Sequence, residues 1–566
     1  MIKIQEILKK NKSYLTFKLY PILLQVTQHT KYTTKIQNIR AQLRMGNINN
    51  ILTQVLALIL ISSMTYLISC GSEEEPSTDE VGETIDTEDP VEDTDNTDDT
   101  DDTEETDDTE ETDDTGDTGS YGSGLTTLSI PAVLTGTNID LTMDYGTTEF
   151  YSGYQTTTRG FNGSYLGPTL ILNKGDQINV TVNNNQTEST TVHWHGMHVP
   201  PNVDGGPHVV IDANSTWQPS FTVLDEAGTS WYHPHLHEKT VEQTNAGLVG
   251  MIIVRDESSA TQALLPKTYG LDEYPLILQY QTFDGSYEIA NDGTDVQVVN
   301  GTIDPILEVP AQMVRFHILN GDDGENFTLS MSNGSDIIVI ATEGGLLPAP
   351  VYLSELEITN GERYEILLDL AAYQGETIYL QNTIPEGGGG PGGGGPGGGG
   401  GRLSATDAEN MLTLIVSEPT SSAVTSVPSS LENFPSWEES EATVTRTKIL
   451  AGPDWTIDGV AYDHDVNNEE IYLEDVEIWE ITNNSNQEHP FHIHDVQFYI
   501  LDIDGAAPPP FKAGRKDVVQ VLGGSTVRFI TKFEDFADED FPYMYHCHIL
   551  PHEDGGMMGQ FIVKER

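Results

Sequence analysis

KGDQINVTVNNN, residues 174–185, places Ile178, Val180 and Val182 at alternate positions and then runs into three asparagines. Apolar residues at every second position mark a strand with one buried face, and an Asn run is turn chemistry. The texture returns twice, as VPAQMVRFHILNG at 309–321 and EDVEIWEITNNS at 474–485. Each copy is followed by a second strand pattern: STWQPSFTV at 215–223, NGERYEILL at 360–368 and GSTVRFITKF at 524–533. One β unit repeated at domain-sized intervals predicts three similar β domains. From residue 126 on, short β-type runs are broken by Gly, Asn, Asp and Pro, which points to sandwiches or barrels rather than helices. SSATQALLP near 260 and SEPTSSAVTSVPSS near 425 have linker composition, so the domains are expected at 122–258, 259–424 and 425–566. The Gly-rich run 387–401 reads as a flexible insertion late in the second domain, with no chemistry in it.

The chain has 566 residues, of which 37% are hydrophobic, enough for more than one buried core. Its formal net charge of −63 is unevenly spread. Residues 1–70 carry nine Lys or Arg and one acid, Glu6, whereas 71–119 carry 25 acids and no base. The remainder, 120–566, holds 63 acids against 17 bases. So acidic a surface disfavours nucleic acid and anionic membrane as partners and favours solubility.

Ile51–Ser69 is apolar and uncharged, and reads as either a transmembrane helix or a signal h-region. Leu67-Ile68-Ser69-Cys70 resembles a bacterial lipoprotein signal box, which implies lipidation of Cys70 and no disulfide there. Both readings export the rest of the chain. Residues 1–70 are therefore a basic lead plus signal or lipoprotein segment, with Met45 an alternative start. Residues 71–121, rich in Asp, Glu and Thr, are expected to be a disordered acidic linker between lipid and folded domains.

Ten of the sixteen histidines fall in four clusters: His193/His195, His233/His235, His489/His492/His494 and His546/His548/His552. A lone histidine is usually a packing or surface residue, and His317, alone in a strand pattern, is read that way. Four His-x-His pairs are different. Residues i and i+2 of a strand share a face, so each pair offers two imidazoles side by side. Eight imidazoles suit a multinuclear site of borderline metals. Two pairs lie in the first domain and two in the third, which puts the cluster at their interface with the second domain as a spacer.

Cys547 is one of two cysteines and lies between His546 and His548. On a strand it faces away from them, so the tripeptide touches two sites. His489, Cys547, His552 and Met557 make a His₂Cys set with a weak methionine, the signature of a blue-copper electron-transfer site. Zinc also accepts His and Cys but cannot shuttle electrons, and the methionine favours copper.

With these motifs, residues 126–566 resemble the three-domain multicopper oxidases, the family of laccases, bilirubin oxidases and cuprous oxidases. The resemblance implies an all-β chain of three cupredoxin-like Greek-key β-sandwich domains. It implies four copper ions. His193 and His492 would hold type 2 copper. The type 3 pair would be held by His195, His233 and His548 and by His235, His494 and His546. Type 1 copper would take His489, Cys547 and His552, with Met557 axial. It further implies four one-electron oxidations coupled to reduction of O₂ to water, with Asp204 and Glu553 delivering protons. His198, His208 and His237 lie beside the motifs but outside them.

A laccase-like substrate (phenols, aromatic amines, bilirubin-type compounds) is expected, with a metallo-oxidase for Cu(I), Mn(II) or Fe(II) as the alternative. Cuprous oxidases of the family carry a methionine-rich segment, whereas here only Met411 occurs between 332 and 543. Non-catalytic relatives lose copper ligands and nitrite reductases lack the full eight-histidine set, so neither fits. The expected partners are O₂ and a small-molecule or metal-ion reductant. The protein is expected to be an exported bacterial monomer, touching the membrane only through its lipid.

Overall fold

A computed structural model of the protein describes residues 125–383, 408–432, 434 and 436–566. Residues 1–70 with Cys70, the acidic linker 71–121 and the Gly-rich run 387–401 lie outside the described residues. What is described is almost all β, in six sheets. The sheets pair into three sandwiches, each closed over its own apolar core. The first sandwich packs Ile139, Leu141, Ile178 and Val180 of one sheet against Leu170, Leu172 and Ile252 of the other. The third packs Trp479, Ile481 and Phe529 against Phe491, Tyr543, Tyr545 and Phe561. The expected cupredoxin-like architecture is therefore observed. The first described strand, Thr126–Thr127, pairs in parallel with Pro305–Pro310 of the second sandwich.

The three repeated segments occupy the same place in each sandwich. Gln177–Asn184, Met313–Asn320 and Val476–Asn483 each run parallel to an earlier strand, respectively Asn138–Thr148, Glu273–Phe283 and Val444–Ala451. Each is antiparallel to the second pattern that follows it in sequence. The asparagine closing each strand explains the Asn-rich turn. Asn184, Asn320 and Asn483 are buried. Each accepts the backbone N–H two residues on and donates to carbonyls of the turn and of a neighbouring segment. One amide thus satisfies a buried chain reversal that would otherwise strand polar backbone groups.

Neighbouring strands deliver the histidine pairs. His193–His195 is antiparallel to Thr229–His233, with His193 opposite His233. His489–Ile493 is antiparallel to Asp538–Cys547, with His492 opposite His546 and Phe491 opposite Cys547. Tyr543, Tyr545, Cys547 and Ile549 all point into the core of the third sandwich. Met544, His546 and His548 take the opposite face, as the pleat requires. The second sandwich meets the first through Trp231, Met251 and Ile253 packed on Ile277 and Leu319.

Candidate metal centre

Eight imidazoles from the first and third sandwiches meet in one fully buried group. The arrangement has a two-fold character. His193 stacks on His494 and His195 on His492, both at 3.8 Å between ring centroids. His233 and His235 of one strand end face His548 and His546 of the other. Three donor groups emerge, His193/His195/His492, His195/His233/His548 and His235/His494/His546, each with ligand atoms within 4.8 Å of one another.

Hydrogen bonds decide which nitrogen each ring presents. His193 Nδ1–H donates to the Asp204 carbonyl at 2.9 Å, and His492 Nδ1–H to the Asp517 carbonyl at 2.8 Å. Their Nε2 atoms are buried without any partner. His233 Nδ1 donates to the Pro234 carbonyl and leaves its Nε2 orphaned. His494 Nδ1 is bound by Asp204 Oδ2 at 2.8 Å, which frees Nε2. His235, His494 and His546 then converge through Nε2, with contacts of 3.1 and 3.3 Å. His195 is the exception: its Nε2 lies 3.2 Å from Asp517 Oδ1, and its Nδ1 turns to His548 Nε2 at 3.3 Å.

Imidazole lone pairs this close repel unless a cation lies between them. A metal about 2.0–2.3 Å from its nitrogen and sulfur ligands at near-tetrahedral angles sets donor atoms about 3.3–3.6 Å apart, so the spacings fit a metal. Burial favours the neutral rings that a metal needs. It lowers His195, His492 and His494 well below the usual imidazole value, His235 to about 4 and His548 to about 3, with neighbouring histidines reinforcing the effect at most of these rings.

On the other face of the strand, Cys547 Sγ lies 3.5 Å from His489 Nδ1 and 3.6 Å from His552 Nδ1. These three form a further donor group, distinct from the histidine cluster. Burial pushes the Cys547 thiol up, so its thiolate needs a cation beside it. His552 sits in the short helix Leu550–Asp554, and Met557 N–H closes back on the His552 carbonyl. Met557 is buried in the same core as Cys547, whose N–H bonds the Met557 carbonyl at 3.1 Å. Trp455 stacks on His552 at 5.1 Å, and Ser485 Oγ lies 2.9 Å from His489 Nε2.

Both candidate acids reach the histidine cluster. Asp204 touches His193 and His494, and its Oδ1 is buried without a hydrogen bond. Glu553 lies 3.1 Å from His546 Nδ1 and 3.5 Å from His235 Nδ1, and accepts the Thr240 hydroxyl at 2.9 Å. Burial alone would raise Glu553, but His235 and His546 outweigh it and hold the carboxyl below its usual range.

The other histidines stay outside the donor groups. His198 bonds Asp495 and Asp535, and these carboxylates, with Asp225, outweigh burial to raise it to about 10. His208 bonds Gln560 and packs on His464, while His237 contacts Tyr462. His317 is buried as expected, but in a polar setting, 2.8 Å from Glu273 and 2.6 Å from Thr229 Oγ1. Sequence reasoning missed Asp517, the counterpart of Asp204. No spacing pattern signals it: Asp204 follows His193 by 11 residues, Asp517 follows His492 by 25.

Residues 142–259 and 437–566 each match a family model described as multicopper oxidase. Multicopper oxidase mco of Staphylococcus haemolyticus is 34% identical over 439 residues, 75% of this chain and 88% of that protein. Cell division protein FtsP of Escherichia coli is 30% identical over 446 residues, 77% of this chain and 92% of that protein. The structure of a laccase-like multi-copper oxidase, CueO from the lignin-degrading bacterium Ochrobactrum sp., superimposes with a TM-score of 0.69 at 31% identity. That match covers 77% of this chain and all of the other.

Proposed function

The chain belongs to the multicopper oxidases, copper oxidoreductases that use O₂, and from that premise we propose a laccase-like oxidase of phenols, aromatic amines or bilirubin-type compounds. In this reading His489, Cys547 and His552, with Met557, hold one copper; His193 and His492 hold a second. His195, His233 and His548 hold the third, and His235, His494 and His546 the fourth. Bound copper supplies the one-electron redox chemistry and the centre at which O₂ becomes water.

The protein's own residues do the rest. Neutral, buried imidazoles keep their lone pairs, and Asp204 and Pro234 fix the tautomers of His193, His494 and His233. Asp204 and Glu553 carry protons: each contacts the outer nitrogen of histidines whose other nitrogen turns to the cluster. The backbone between Cys547 and its two histidine neighbours is the shortest covalent link between the two sites.

The observation that carries the reading is the completeness of the donor set. A relative named for cell division shares the chain's similarity at 30% identity, so similarity alone does not decide the activity. The aromatic choice over Cu(I) rests on the methionines. All those among the described residues, Met411 included, are buried, so none offers an exposed thioether to capture Cu(I). The protein is exported by a bacterium and held at its membrane through Cys70, a monomer with O₂ and its reductant as partners.

Oxygen uptake by the copper-loaded chain, with phenols and aromatic amines set against Cu(I), Mn(II) and Fe(II), tests this. Aromatic donors are expected to give the higher kcat/KM. A metal ion outrunning them makes the protein a metallo-oxidase, and no uptake with any donor refutes the oxidase reading.

A further inference from the structure

Asp204 and Asp517 play matching parts on the two halves of the histidine cluster, and one difference separates them. Each gives its carbonyl to one ring and its carboxyl to another. Asp204 serves His193 and His494, and Asp517 serves His492 and His195. Among the described residues no lysine or arginine pairs with Asp204, and its Oδ1 has no hydrogen bond. Asp517 is gripped in a two-pronged pair by Arg363, at 2.6 Å on both oxygens.

Arg363 comes from the second sandwich, the domain that supplies none of the eight imidazoles. Its guanidinium is fully buried and touches all three sandwiches. Besides Asp517 it donates to the Thr229 carbonyl of the first sandwich and the Gly361 carbonyl of its own. The neighbouring pair repeats the complementarity, with Lys516 bonded to Glu362 and Glu343. Glu362-Arg363 therefore meets Lys516-Asp517 charge for charge in a fully buried interface.

Two glycines show that room is kept for this contact. A Cβ on Gly196, the residue after His195, would lie 2.2 Å from Arg363 Nη2 and 2.7 Å from Asp517 Oδ2. A Cβ on Gly361 would lie 2.8–3.0 Å from the His548 ring. Both residues also have positive φ, +86° and +79°, which glycine alone adopts freely.

We infer that Arg363 is a positioning residue of the histidine cluster: by fixing the Asp517 carboxylate it makes His195 present Nδ1 and, through the Asp517 carbonyl, holds His492 with Nε2 inward, so the cluster is complete only when the second sandwich is docked. A rigid guanidinium fork suits this task, because it fixes a carboxylate plane as a lysine cannot. The role rests on the copper assignment made above. It concerns how two rings are aimed, and the Cys547 group, on the far face of the strand, serves as an internal control.

The test uses the full chain, copper-loaded, as wild type, Arg363→Gln, Arg363→Lys and Asp517→Asn. The readouts are copper per chain at limiting copper, the type 2 copper signal in electron paramagnetic resonance, the blue absorption from Cys547, and the thermal melt of the metal-free protein. Arg363→Gln and Asp517→Asn should lower the melt, as breaking a buried pair does, yet keep a cooperative transition and the blue band, and bind the cluster coppers about 10–100-fold more weakly, with an altered type 2 signal. Arg363→Lys should fall between. Wild-type copper content and type 2 signal in Arg363→Gln would overturn the inference. Loss of the blue band and of the melt together would also overturn it, because the contact would then be general domain glue. Should Arg363→Gln fail to fold, the near-isosteric Asp517→Asn decides alone. A wild-type chain that binds no copper would instead refute the proposed function.

Discussion

Cys547 shows how much one position can carry. Its side chain lies in an apolar core with Phe491 and Tyr545, and its neighbours on both sides reach a different, polar site. The pleat alone makes that division, and the HCH tripeptide therefore displayed it in sequence. Each His-x-His pair, and His489 against His492 and His494, could likewise be assigned to a face by counting; His552, in the short helix Leu550–Asp554, could not. What counting could not reach was the layer behind the rings. Asp517 and Arg363 are 154 residues apart and become neighbours only when two sandwiches dock. Nor could spacing show which nitrogen each ring presents, because that depends on carbonyls such as those of Asp204 and Pro234. Replacing Cys547 by Ser should abolish the blue absorption and nearly all turnover, since an alcohol does not replace a thiolate ligand. A Cys547→Ser protein that is still blue and active would show that the His489/His552 group is not the electron-accepting site.

The strand closed by a buried asparagine is the element that repeats. Alternation made Gln177–Asn184, Met313–Asn320 and Val476–Asn483 legible as strands, and the Asn runs were legible as turns. Which asparagine is structural was not legible in the first and third copies, because 183–185 and 483–484 offer more than one and only burial selects Asn184 and Asn483, whereas the second copy offers Asn320 alone. In the third sandwich this element also serves the site. Asn483 accepts from Ser485, and Ser485 Oγ lies against His489 Nε2. Asn483→Ala would remove the amide that bonds the Ser485 N–H and the Gln487 and Val521 carbonyls, leaving Ser485 Oγ on Gln487, at a cost of about 2–4 kcal/mol. A melt of the metal-free protein should register that loss, together with a shifted blue band once copper is added. A loss under about 1 kcal/mol would mean that water or another side chain satisfies the turn.

At the scale of the whole molecule, three sandwiches were foreseeable from the threefold repeat, whereas the charged seams between them were not. Arg255 of the first sandwich pairs with Glu273 of the second, and Arg315 and His317 meet Glu365 nearby. Burial would raise Glu365, but Arg315 and His317 outweigh it and bring it down to about 2. A depressed carboxyl stabilises the fold fully above its unfolded value, about 4.5, and loses that contribution as pH falls toward 2. Glu365→Gln should therefore flatten the acid loss of thermal stability between about pH 4.5 and 2. Parallel curves for variant and wild type would place the acid lability elsewhere.

All of this hangs on four donor groups being copper sites, and one measurement bears on that most directly: copper analysis with an absorption spectrum on the purified, copper-loaded full chain. About four coppers per chain, an intense blue band from the Cys547 site and a near-ultraviolet shoulder from a coupled pair are expected. A colourless protein, or one holding zinc or a single copper, would contradict the copper assignment.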